Sequence, residues 1–286
     1  MTLARLRSLS WVRPGLRAQL ALVAAVLVIA TSVAGAVAAA HEDPIASHPA
    51  PPLFSDQQVQ PWVAELVTVR ARADRAFATW ARTHPGRDDA AFTAFALAQV
   101  PAVPASAVQR EELTELRALA ARRTPAGLAA AGWLETYGKA DIWRLYLSDA
   151  TETVGGGARQ RARLALDADL VLAQRLSSTA QQRFARPAPS AVDPGLRKHP
   201  RRSKLSYPSG HAVDAVSALV VLSAVDPGRA RDFQQTAAQV LFSRLYAAGH
   251  YRSDLMAGAY VGALLGDYQA RALADDRVLG LAGRAG

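Results

Sequence analysis

The chain has 286 residues, enough for one large or two small domains, and half of them are hydrophobic, mainly Ala, Leu and Val. The formal charge is +9, but Arg5, Arg7, Arg13 and Arg17 stand unopposed at the N-terminus; without residues 1–40 about +5 remains, an ordinary value that argues against a nucleic-acid partner. There is no cysteine, which excludes disulfides, thiolate metal sites and cysteine nucleophiles together.

In chain order, Met1–Gln19 is basic, Leu20–Ala30 is uninterrupted apolar sequence, and small residues end in Ala38-Ala39-Ala40. That order describes a secretory signal peptide cleaved after Ala40. The alternative is an uncleaved anchor, because Leu20–Ala40 approaches the length of one membrane span. Either way the rest of the chain is expected outside the cytoplasm, periplasmic or secreted, with the membrane as partner only through such an anchor. No later segment reaches the ~18 consecutive apolar residues of a span.

Residues 41–60, rich in Pro, Ser and acidic residues, read as an extended linker in which His41 and His48 are solvated. A domain is expected over 61–286. Helical periodicity runs from Trp62 to about Thr83, with Val63, Leu66, Val67 and Ala71 on one face. After Pro85-Gly86 a second helix is expected over Asp88–Val100, ended by Pro101 and Pro104. Ser106 and Gln109 fit a capping box for a helix running to Arg123, and Glu111, Glu112 and Glu115 read as complements to its dipole. Pro125 opens a further helical stretch, and Lys139–Leu147 is amphipathic. Gly155-Gly156-Gly157 lacks the strand and the Gly-Lys-Ser/Thr of a phosphate loop and reads as a hinge before a long helix over Ala158–Phe184. Residues 187–208 form a Pro-containing loop with a basic run, Arg197, Lys198, Arg201, Arg202 and Lys204. Helices over His211–Val225, Arg229–Ala248 and His250 to about Ala274 complete an all-α fold with no internal repeat.

Two segments carry chemistry. In Tyr207-Pro208-Ser209-Gly210-His211 a Pro/Gly turn opens a helix, whose first N–H groups and partial positive charge favour a phosphate. Ser209 adds a hydroxyl, and His211 sits beside the anion. In the second segment, Ser243 to Asp254, Gly249 breaks two helices, and His250 and Asp254 are four apart, the spacing of one helix face. A carboxylate there would fix the imidazole tautomer, and Arg244 offers a fork of donors matched to phosphate oxygens.

These segments resemble the type 2 phosphatidic acid phosphatase superfamily, which includes bacterial class A acid phosphatases and vanadium haloperoxidases. Its P-S-G-H signature is complete at Pro208–His211, and its S-R-x5-H-x3-D signature at Ser243, Arg244, His250 and Asp254. Tyr207 and Ser253 look like the class A enzymes, and the resemblance covers roughly 167–265. It implies an all-α helical bundle of the PAP2/haloperoxidase type. It also implies hydrolysis of a small-molecule phosphate ester without metal or other cofactor, through a phosphohistidine on His250. His211 would be acid and base, Asp254 would orient His250, and Arg244, Ser209 and Gly210 would hold the phosphate oxygens. A non-catalytic phosphate-binding descendant and a vanadium-dependent haloperoxidase are the alternatives; lipid phosphatases of the family are usually polytopic.

The family's first signature, K-x6-R-P, is degenerate. One register places its cations at Gln181 and Ala188; the other keeps Arg186-Pro187 but puts Thr179 at the lysine. Arg186, Lys204 or another basic loop residue is expected to supply the missing charge. The sequence leaves the oligomeric state open.

Overall fold

The computed structural model describes residues 45–149, 155–196 and 205–282. The signal or anchor expected within residues 1–40 lies outside them, and so does the basic run from Arg197 to Lys204. Residues 47–286 cluster as one unit.

Prolines and glycines mark many of the helix ends, although Pro61 lies inside the first helix. The helices are α1 (Asp56–Ala81), α2 (Asp89–Gln99), α3 (Ser106–Ala120), α4 (Pro125–Tyr137) and α5 (Asp141–Asp149). They are followed by α6 (Gly156–Phe184), the single turn α7 (Pro189–Val192), α8 (Gly210–Val225), α9 (Ala230–Tyr246) and α10 (Arg252–Ala282). Among the described residues there is no strand beyond one isolated antiparallel bridge, Pro187 to Leu205. No helix of the described residues is long and apolar enough to cross a membrane. The all-α expectation holds.

Several boundaries differ from the periodicity, each for a local reason. Helix α1 starts at Asp56, inside the expected linker, because the Gln58 side chain accepts the Ser55 N–H at 3.0 Å and closes the helix start there. The capping box expected at Ser106 is absent: Ala105 is the N-cap and contributes no side chain. Helix α4 is capped instead by Thr124, which accepts from Gly127 N, with Pro125 at the first helical position. At the end of α9 the left-handed residue is Ala248, φ 51°, while Gly249 has ordinary φ.

Helix α8 is the axis of the bundle. It packs on α6, α9 and α10, and Ala212 to Ala218 are all buried. Its closest neighbour is α10, through Gly258, Gly262 and Gly266, one turn apart and on one face. A Cβ on Gly258 would fall on the Ser209 carbonyl, one on Gly262 on the Val213 backbone, and one on Gly266 on the Val220 side chain. Backbone is thus laid against backbone, and the start of α8 is fixed relative to the first turns of α10.

Overpacking this seam costs roughly 1–3 kcal/mol. Gly262→Ala is therefore expected to lower the urea midpoint, whereas Gly132→Ala, within α4 and facing open space, is expected to raise it, through a stability gain of roughly 0.5–1 kcal/mol from helix propensity. Equal responses at the two positions would show that α8 and α10 are not in backbone contact.

Candidate active site

The site begins at the N-terminus of α8. Ser209 is fully buried; its N–H donates to the Asp254 carbonyl at 3.0 Å and its Oγ accepts from Ala212 N at 3.4 Å. The first intrahelical bond is Val213 N–H to Ser209 O, so the N–H groups of Gly210 and His211 precede the ladder at the positive end of the helix. Tyr207-Pro208 is a cis peptide, and the Pro208 carbonyl accepts from Gln181 Nε2 at 2.9 Å. The position that one register gives to the family's lysine therefore holds the loop by an amide.

The second segment meets this helix end from α9 and α10. Arg244, only 2% exposed, gives Nη2 to Glu135 Oε2 at 3.3 Å, while its Nε and Nη1 are buried with no partner among the described residues. Leaving such donors unmade costs about 1–3 kcal/mol, a cost a bound anion would remove. Gly249 explains itself here: a Cβ would lie 3.3 Å from the Arg244 carbonyl and 3.8 Å from its Nε. The need is for space beside the Arg244 backbone carbonyl rather than for a left-handed backbone.

His250 precedes α10 and does not share a helical face with Asp254 as the spacing predicts. Its Nδ1 donates to the Ser206 carbonyl at 2.9 Å, which leaves the ring's lone pair on Nε2. Asp254 lies 3.6 Å from the same nitrogen, and its carboxylate is held by Tyr251 N–H at 2.8 Å and Arg186 Nη1 at 2.6 Å. The backbone carbonyl sets the tautomer; the carboxylate adds a negative charge beside it.

His211 Nε2 donates to the Glu135 carbonyl at 3.0 Å, so this ring carries its lone pair on Nδ1. Burial holds its pKa well below the ordinary 6.5, and the charges of Arg244, Lys139 and His250 push the same way. Glu135, whose carbonyl holds His211, also binds Arg244 through its carboxylate, which brings the two side by side. Lys139 comes from the turn between α4 and α5; its Nζ is 3.4 Å from the Asp214 carboxylate and would be 3.8 Å from a Cβ on Gly210. Glu135 and Lys139 carried no motif and were missed by sequence reasoning. The only available signal was their place at the end of a helix, which says nothing of what that end faces.

Arg186 is committed elsewhere. It is 2% exposed, bonded to Glu112 Oε2 at 2.8 Å, Ser253 Oγ at 2.7 Å and Asp254, with its guanidinium 4.0 Å over the Tyr251 ring. Its Nη1 supports Asp254, its Nε is buried without a partner among the described residues, and Lys204 lies outside them. Glu112 and Glu115 are likewise not dipole complements: Glu112 is buried between Arg186 and Ser253 N–H, and Glu115 accepts from Arg252.

Residues 168–272 match the PAP2 superfamily. The matched stretch runs from α6 into α10 and contains Ser209, Gly210, His211, Arg244, His250 and Asp254; Glu135 and Lys139 lie outside it. A solved structure of similar shape is the transmembrane PAP2 type phosphatidylglycerolphosphate phosphatase from Bacillus subtilis, 18% identical, with a TM-score of 0.47. The alignment covers 66% of this chain and 94% of that one. No curated protein matches the chain. The PAP2 match supports phosphoester hydrolysis as the general chemistry.

Beneath the site, burial raises Asp214 from 3.8 to about 6 despite Lys139. Between those values the unfolded chain ionises first, so the folded state loses stability as pH rises, by about 3 kcal/mol once both forms are charged. In Asp214→Asn that penalty is gone. The stability gap between variant and wild type, read from urea unfolding, is expected to widen from pH 4 to above pH 6 and then stay level. A gap independent of pH would mean that this carboxyl ionises in the fold as it does in water.

Proposed function

We propose that the protein is a phosphomonoester hydrolase of the acid phosphatase type that works through a phosphohistidine and without a metal. The observation that carries this reading is the pair of unpartnered, buried N–H groups on Arg244 beside His211 and the start of α8. Phosphate oxygens would satisfy those donors together with the Gly210 and His211 N–H groups and the Ser209 hydroxyl.

The reaction has two steps. His250 Nε2, holding the ring's lone pair, attacks phosphorus in line as the bond to the ester oxygen breaks. Protonated His211 gives its proton to the departing alkoxide, and the phosphoryl group stays on His250. As His250 gains positive charge, the Ser206 carbonyl at Nδ1 and the Asp254 carboxylate beyond it stabilise the imidazolium. Water then attacks the phosphohistidine, neutral His211 takes its proton, and phosphate leaves with His250 restored. Arg244 and the helix end hold the oxygens while charge builds on them.

The acid character follows from His211. It must be charged to donate in the first step, yet its surroundings hold it neutral at pH 7. Its charged fraction in the free enzyme therefore rises only as pH falls well below the ordinary imidazole range.

With p-nitrophenyl phosphate and a chelator present, wild type is expected to turn over and His250→Ala to lose on the order of 10³-fold or more in kcat. Undiminished turnover in that variant would remove the nucleophile from the scheme. As pH falls below the ordinary imidazole range, kcat/KM is expected to climb in wild type. His211→Asn should lack the part of that climb that exceeds the substrate's own ionisation, which both proteins share. Parallel profiles would exclude His211 as the proton donor.

A further inference from the structure

The degenerate first signature leaves the proposed site short of a cation. Gln181 is spent on the Pro208 carbonyl, and Arg186 is locked between Glu112 and Asp254. From the geometry we infer that Lys139, supplied by the α4–α5 turn from outside the stretch that matches the family, is a phosphate-binding residue of this site and supplies the missing charge. The inference rests on the phosphate-site reading given above.

Four observations carry it. The ammonium lies where an anion bound at the α8 N-terminus would meet it, beside Gly210 and near enough to lower the pKa of His211. Arg244, with its two buried unpartnered N–H groups, binds the carboxylate of Glu135, whose carbonyl holds His211, so two cations and a helix end converge on one place. The turn that presents Lys139 is held firmly. Gly138 is buried, its Cβ position being filled by the Leu134 carbonyl and the Val240 side chain, and its carbonyl accepts from the buried Trp143 indole at 2.9 Å. Finally, the chain holds 33 Lys and Arg residues but only three lysines, Lys139, Lys198 and Lys204. Basic residues are arginine almost everywhere in this protein, and one of the three exceptions stands at the site.

Pairing with Asp214 does not account for Lys139. The 3.4 Å separation is long for a charge-assisted hydrogen bond, and Asp214 remains raised to about 6 in its presence. The Lys139 side chain is 45% exposed, so its ammonium is open to an incoming ion. A point charge with three rotatable donors can keep Asp214 as a neighbour and still turn toward phosphate.

The test uses the full chain and inorganic phosphate. In wild type, acetylation of amines followed by peptide mass spectrometry reads Lys139 directly against only two other lysines. Phosphate, at concentrations shown by calorimetry to saturate binding, is expected to slow Lys139 acetylation several-fold. Lys139→Met is expected to weaken phosphate about 10- to 100-fold and to raise KM for p-nitrophenyl phosphate more than it lowers kcat, while Lys139→Arg keeps most of the affinity. Unprotected Lys139 at saturation, or wild-type phosphate affinity in Lys139→Met, overturns the inference. Wild type that binds phosphate with Lys139 protected yet hydrolyses no ester would leave this inference standing and defeat the hydrolase reading. Turnover with Lys139 indifferent would do the reverse. The protection experiment needs no variant, so a misfolded substitution does not decide the outcome.

Discussion

Asp254 is the residue on which the rest of the arrangement depends. Its backbone carbonyl accepts the Ser209 N–H, tying the start of α8 to the first turn of α10. Its carboxylate binds Arg186 and Tyr251 N–H and stands beside the His250 ring. Backbone and side chain of this one buried residue together bear on three things: where the helix end points, which charge stands beside His250 and why Arg186 is drawn inward. Removing one partner of a buried charge pair strands the other in low dielectric, typically at 3–5 kcal/mol. The network can therefore hold a single geometry although none of its members faces water.

The close approach of α8 and α10 serves the same end. Glycine on α10 lets the Ser209 carbonyl sit where a Cβ would otherwise be. Anything larger there would push the α8 N-terminus away from Asp254 and from His250 together. Packing and electrostatics are in this sense one constraint: the seam without side chains makes the polar contacts reachable, and the polar contacts give the seam its register.

How much of this was legible in the sequence follows from the range of each interaction. Caps, prolines and apolar periodicity act within a few residues, so the helices were readable from Pro125, Gly155 and the leucines of α6 even where ends moved by several positions. The two signatures were readable because each packs several site groups into one short run. The support for Asp254 was not, since Arg186 and Glu112 are 74 residues apart and the patterns in which they stand do not link them to each other or to Asp254. Spacing also misled at His250, where four residues suggested a helical face and the chain instead makes a turn whose nearest acceptor is Ser206. Gly249 was rightly singled out, but for conformation when the cause is room beside Arg244.

A degenerate signature need not mean a vacant function, because an oxyanion responds to where charge stands and not to which helix delivers it. The amide at Gln181 and the ammonium at Lys139 exchange two duties that could both fall to α6: holding the loop that carries Pro208 and offering charge near Gly210. An amide is the better loop clamp, since it stays neutral and satisfies a backbone carbonyl without desolvating an ion. Charge is the better ligand for phosphate, and it costs least on a half-exposed turn, where it keeps part of its hydration until the anion arrives. Moving the cation from α6 to the α4–α5 turn also places it next to Glu135, whose carbonyl holds His211 and whose carboxylate meets Arg244. The end of α4 thereby becomes a fourth wall of the site, and any shift of that helix would be felt by the proton donor, the arginine and the lysine at once.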